Sequence, residues 1–101
     1  MQLNIHPEGQ ETIVKIIGEL DTIATTEQAD ELQQVLDIAD KPIVMDCSEL
    51  EYVSSAGLRF FMRLKRETEA KGGSIRITRL NEAVADIFRM SGFPNIFQIE
   101  N

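Results

Sequence analysis

Ser54 and Ser55 stand side by side, followed by Ala56 and Gly57, between an apolar run at Pro42–Met45 and an amphipathic stretch at Leu58–Arg66. The spacing predicts that the pair lies where a strand's exit becomes the first turn of a helix. Backbone N–H groups are unpaired there and the helix dipole presents its positive end, so the place suits a negatively charged group. A serine at such a point either caps the helix, contributing about 1 kcal/mol, or accepts a phosphate that is put on and taken off. Spacing alone leaves both readings open. Two carboxylates are expected at the same edge, Asp21 closing the second strand and Asp46 the third, because sites in α/β sheets gather at the carboxyl ends of parallel strands. Each also has a plain structural reading: Asp21 as an acid in the first turn of the helix behind it, Asp46 as the start of an Asx turn.

Arg59, Arg63 and Arg66 follow at i, i+4 and i+7, within about 60° of helical arc and on the side that carries Ser55. They are either a solvated charged face or a docking surface for an acidic partner. Ordinary enzyme chemistry finds little support. Neither serine has the glycine two residues before it that a nucleophile elbow needs, and the one histidine, His6, falls in the first strand or its turn. No Gly-x-x-x-x-Gly-Lys loop and no Cys/His metal spacing occur. No cofactor and no metal are expected.

The 101 residues suit one domain, spanning 1–101, with a single core. The lone cysteine, Cys47, excludes an internal disulfide and reads as buried packing. Net charge is −7, unevenly spread. Residues 1–51 hold 12 acidic and 2 basic side chains, a balance of −10; residues 52–101 hold 5 and 8, a balance of +3. Such a chain repels phosphate backbones, which argues against direct nucleic-acid binding. The N-terminus has neither a basic start nor a long apolar stretch, so no membrane span is expected and the protein reads as cytoplasmic.

The elements that must position these residues follow from periodicity. Leu3 and Ile5 predict a short strand, His6–Gln10 a turn, and Thr12–Gly18 a second strand ended by Glu19-Leu20-Asp21. Thr25 and Gln28 fit a capping box, with Thr22 as the other cap, before an amphipathic helix over 24–39 carried by Leu32, Val35, Leu36 and Ala39. Pro42 opens a buried strand that Asp46–Leu50 leaves. A helix runs from Ser55 to a glycine cap at Gly72-Gly73, then a strand at Ser74–Ile77. Asn81 caps a helix with Val84, Ile87 and Phe88 on one face and Leu80 as a staple; Gly92 and Pro94 stop it before a last strand at Ile96–Ile99. The order β-β-α-β-α-β-α-β predicts an α/β fold with a mixed, largely parallel sheet and an N-terminal hairpin.

Gly18-Glu-Leu-Asp21, Asp46, Val53-Ser-Ser-Ala-Gly-Leu58, Gly72-Gly73 and Phe88-Arg-Met-Ser-Gly92, in this order and spacing, resemble the STAS domain of bacterial anti-sigma-factor antagonists. The resemblance spans nearly the whole chain. It implies a monomeric binding module, not an enzyme, that binds an anti-sigma factor serine kinase and thereby frees a sigma factor. The kinase phosphorylates one serine, the antagonist dissociates, and a PP2C-type phosphatase resets it. The family's pattern commonly reads Asp-Ser-Ser/Thr-Gly-Leu. By position the acceptor is Ser55, with Ser54 in place of the aspartate and Ala56 in place of the second hydroxyl residue, which makes Ser54 the alternative acceptor. The resemblance places Asp21 in the phosphorylation-site pocket, and Asp46, Ser54 and Gly57 are expected around the same pocket. STAS domains also serve as accessory or regulatory subunits of membrane transport systems, and that is the rival reading.

Overall fold

The computed structural model describes residues 1–100, in the order β1 (Gln2–Glu8), β2 (Glu11–Leu20), α1 (Thr22–Glu27), α2 (Ala29–Asp37), β3 (Pro42–Val53), α3 (Ser55–Lys71), β4 (Ser74–Thr78), α4 (Glu82–Met90), a 3-10 turn (Phe93–Asn95) and β5 (Gln98–Glu100). The strands form one five-stranded sheet in chain order. A tight turn joins β1 to β2 and makes that pair antiparallel, while the helical crossovers make every later pair parallel. The expected mixed sheet with its N-terminal hairpin is therefore present.

One face of the sheet carries the core. Val14, Ile16 and Leu20 of β2, Ile43, Met45 and Cys47 of β3, and Ile75 and Ile77 of β4 join one cluster with Leu32, Val35, Leu36, Phe61, Leu64, Val84 and Phe88 from the helices. Phe61 is its centre, packed edge-on against Phe60, Phe88, Phe93 and Phe97 with ring centroids 5.3–6.3 Å apart. Cys47 is fully buried and its thiol is pushed up to about 12 by desolvation and by the neighbouring Asp46 charge, as befits packing rather than reactivity. The opposite face bears ion pairs. Arg76 of β4 reaches Glu11 of β2 at 2.8 Å and Glu100 of β5, and these hydrogen bonds hold its guanidinium charged.

Several elements differ from the sequence reading: β1 runs on to Glu8, through part of the expected turn at His6–Gln10, and three others differ more. The single helix expected over 24–39 is two helices meeting at Gln28, whose φ of −113° and ψ of 29° are not helical. Its cap is neither Thr25 nor Thr22 but Asp21, whose Oδ1 accepts from the Ala24 amide at 2.8 Å. Thr25 and Thr26 turn their hydroxyls back onto the Thr22 carbonyl, each at 2.9 Å, and such back-bonding weakens a helix. Gln28 meanwhile donates to the Met1 carbonyl at 2.8 Å, a long-range contact that holds the break.

The third strand also differs. β3 does not end at Asp46 but runs twelve residues to Val53. Between Lys15↔Asp46 and Ile17↔Glu49, and again between Gly18↔Leu50 and Glu19↔Tyr52, β3 advances one residue more than β2. These two bulges shift the inward positions from Met45 and Cys47 to Leu50 and Val53, so strict alternation is lost although the ladder continues. At the C-terminal end, β5 also starts later than expected, because Phe93–Asn95 forms a 3-10 turn and the Phe97 amide bonds back to the Phe93 carbonyl at 2.8 Å.

Candidate functional site

Both strands that reach furthest, β2 and β3, end together at Leu20↔Val53. The chain then turns at Asp21 into α1 and at Ser54 into α3, so these two residues cap neighbouring helices at one edge of the sheet. Ser54 Oγ accepts from the Gly57 amide at 3.3 Å, its carbonyl accepts from the Leu58 amide at 2.9 Å, and its own amide donates to the Leu20 carbonyl at 3.0 Å. The structural job at the helix start therefore belongs to Ser54. Ser55 is the first helical residue and is exposed. The Ser55 and Ala56 amides, at the start of this helix, have no intrahelical acceptor.

Gly57 is required by close approach. A Cβ built there would lie 2.3 Å from the Leu20 carbonyl oxygen and 2.8 Å from Val53 Cγ1. Only glycine lets the first turn of α3 sit against the end of β2.

Asp46 does not belong to this group. It pairs with Lys15 and Thr78 in mid-strand, eight residues before Ser54; with the two bulged residues adding no length, that is roughly 20 Å along β3 at the usual strand rise. Its Oδ1 accepts from the Ser48 amide at 3.0 Å, the Asx-type contact that was the plainer reading. Burial works to raise its pKa, but the Ser48 hydrogen bonds and the Arg79 and Lys15 charges outweigh that and hold it below the usual carboxylate range. It opens instead onto a cavity of about 510 Å³ on the ion-paired face, with Glu11, Arg76, Arg79 and Glu100.

The carboxylates gathered around Asp21 at this edge are ones periodicity did not single out. Glu19, Glu27 and Glu51 join Asp21 around a shallow hollow of about 350 Å³, with Met1, Gly18 and Gln28. Two apolar side chains stand out of the same edge, Ile23 at 65% exposure after Asp21 and Tyr52 at 45% before Ser54. Single exposed apolar residues are ordinary in sequence; what marks these is their shared place, which pairing of β2 with β3 creates.

Arg59 and Arg63 flank a groove of about 270 Å³ between the α1–α2 pair and α3, lined also by Leu32, Leu36, Ala56 and Phe60. Arg66 is exposed further along α3, outside the groove. None of the three has a carboxylate within 4.0 Å among the described residues.

Comparison with known proteins agrees with this architecture. A family model described as Mlab, STAS domain, matches residues 3–98. A Bordetella bronchiseptica protein named as a candidate anti-sigma factor antagonist, BtrV, is 33% identical over 79 residues, 77% of this chain and 68% of its own length. Among solved structures, an antagonist-type protein of Thermotoga maritima superposes with a TM-score of 0.84 at 17% identity, over 98% of this chain and 86% of that one. The anti-sigma factor antagonist SpoIIAA in its unphosphorylated form gives 0.70 at 15% identity, over 99% and 88%. These structural likenesses are likenesses of fold, whereas the family model covers nearly every element described above. With its mixed five-stranded sheet and its serine-capped α3 at the end of β3, the chain belongs to the STAS domain family.

Proposed function

We propose that the chain is an anti-sigma factor antagonist whose edge at Asp21, Ser54 and Ser55 binds an anti-sigma factor serine kinase, freeing a sigma factor, until Ser55 is phosphorylated. A PP2C-type phosphatase restores the unmodified form. The protein acts as a cytoplasmic, monomeric binding module without a cofactor and not as an enzyme. The observation that carries this reading is the division between the two serines: Ser54 is engaged as the cap of α3, and Ser55 beside it is exposed. The name borne by the 33% identical relative and the fold shared with SpoIIAA support it.

The switch follows from charge. Phosphorylation adds about −1.5 to −2 charges and three acceptor oxygens. The start of α3 accommodates them, so the fold need not rearrange. A partner seated on Ile23, Tyr52 and a neutral Ser55 would instead meet a dianion at an edge already carrying Glu19, Asp21, Glu27 and Glu51. Unfavourable desolvation of that charge cluster weakens the complex. Incubation with the kinase and ATP, followed by mass spectrometry of the peptides, tests the assignment. Phosphate confined to Ser55 is expected; phosphate on Ser54 alone, or none, overturns it. The rival reading, an accessory subunit of a membrane transport system, uses the same fold and gains ground if the chain co-purifies with a permease and its ATPase instead of a kinase.

A further inference from the structure

The groove between α2 and α3 has three properties that together specify an occupant. Its floor is apolar: Leu32 and Leu36, one turn apart on α2, face Phe60 of α3. Its volume, about 270 Å³, lies below the range of roughly 300–1,000 Å³ typical of small-molecule sites, and suits a notch for anchor side chains better than an enclosed ligand pocket. Its rim carries Arg59 and Arg63, one turn apart and exposed.

The rim's two arginines are among the five of the chain's ten Lys and Arg side chains that have no ion-pair partner among the described residues. Lys15, Lys41, Lys71, Arg76 and Arg89 each have a carboxylate within 4.0 Å. Arg59 and Arg63, like Lys65, Arg66 and Arg79, have none among the described residues, in a chain with 17 acidic side chains; what sets the two apart is that they border an apolar groove. Arginines with free planar donors beside an apolar notch that a partner would desolvate are the usual anchors for that partner's carboxylates. Two arginines at i, i+4 match carboxylates spaced one turn apart on a facing helix. The furrow between two packed helices also accepts the side-chain ridge of a third.

We propose that this groove docks an acidic amphipathic helix of a partner protein, its apolar ridge entering over Leu32, Leu36 and Phe60 and its carboxylates pairing with Arg59 and Arg63. The inference rests on the reading of the chain as a protein-binding module and adds the chemistry of the bound segment. The groove reaches Ala56, the residue after Ser55, so a helix seated in it ends beside the switch serine.

The test uses the unphosphorylated full chain and a designed, fluorescently labelled peptide of about 20 residues, long enough for appreciable helicity. The peptide carries leucines at i, i+3, i+4 and i+7 flanked by glutamates, and a matched peptide carries lysine at each glutamate. Anisotropy is expected to show binding of the glutamate peptide that weakens as salt is added. The lysine peptide is expected to bind about tenfold or more weakly, as is the glutamate peptide to Arg59→Glu/Arg63→Glu protein. Ala29→Trp, which fills the groove from α2, is expected to weaken binding while Arg59 and Arg63 remain. Equal affinity of the two peptides, equal affinity of the charge-reversed protein, absence of binding, or amide shifts confined to the Arg76 face overturns the proposal. A concentration-dependent dimer in sedimentation that Arg59→Glu/Arg63→Glu abolishes gives the groove to a second copy and overturns it as well. Neither kinase nor phosphate enters these measurements, so their failure leaves the Ser55 assignment intact, and the kinase assay fails or succeeds independently of them.

Discussion

The Ser54 amide donates to the Leu20 carbonyl at 3.0 Å, and the same carbonyl oxygen would lie 2.3 Å from a Cβ on Gly57. One backbone oxygen thus ties the ends of β2 and β3 together and sets how closely α3 can begin. Gly57→Ala forces that contact apart and is expected to cost about 1–3 kcal/mol or more, as overpacking against backbone does. Urea unfolding measures the loss, and the rate of kinase phosphorylation is expected to fall with it because Ser55 is displaced. An unchanged midpoint would show that the strand end yields freely.

Ser54 and Ser55 are expected to separate stability from modification. Ser54→Ala removes the side-chain acceptor for the Gly57 amide and is expected to lower stability by about 1 kcal/mol while phosphate still reaches Ser55. Ser55→Ala, at an exposed position, is expected to leave stability within about 0.5 kcal/mol and to abolish phosphorylation. Unfolding curves and intact-mass spectra of the two variants read both quantities.

Ile23 and Tyr52 are exposed at the edge that holds Asp21 and Ser54. Ile23→Ser and Tyr52→Ser are expected to weaken the complex with the kinase by roughly tenfold each, the loss of about 1–2 kcal/mol typical of an interface anchor. Thermal unfolding of the free protein is expected to change little. Titration calorimetry that finds wild-type affinity in both variants would move the partner to another face.

Stability is expected to fall in acid through Asp46 and Glu11. Hydrogen bonding from Arg76, with its charge, holds Glu11 below the usual carboxylate range despite some desolvation, and Asp46 is held below it by Ser48, Arg79 and Lys15 against the opposing effect of burial. A carboxyl that is more acidic folded than unfolded stabilises the protein fully above its unfolded value near 4, and that stabilisation is lost as pH falls through the folded value. The urea midpoint is therefore expected to drop below about pH 4, and Asp46→Asn and Arg76→Ala to flatten that drop. A slope identical in all three proteins would assign the acid response to other groups.

Most of the architecture was legible because each element carried a local signal that tertiary packing reinforced. Asn81 caps α4 through the Val84 amide at 2.9 Å, and Gly72 ends α3 at a φ of 82°, both where their residue types predicted. Asp46 was misplaced because periodicity assumes one residue per step on both strands. Two bulges break the alternation after Cys47, so a continuing strand reads as its exit. The helix over 24–39 was misread for the converse reason: its apolar spacing is uninterrupted, but a distant bond from Gln28 to Met1 helps hold a break that no local pattern announces.

By itself the sequence determined what depends on neighbours in the chain: strand and helix periods, the serine pair at the start of α3, and the glycine after it. Tertiary structure decided what depends on register. By ending β2 and β3 together at Leu20↔Val53 it brought the chain's turns at Asp21 and Ser54 to one edge, gathered Glu19, Glu27 and Glu51 around Asp21, and carried Asp46 away to the Arg76 face. Those outcomes turn on how two strands slide past one another. That offset is fixed by bulges and by the contact of Gly57 with Leu20, and not by the order of residues in either strand alone.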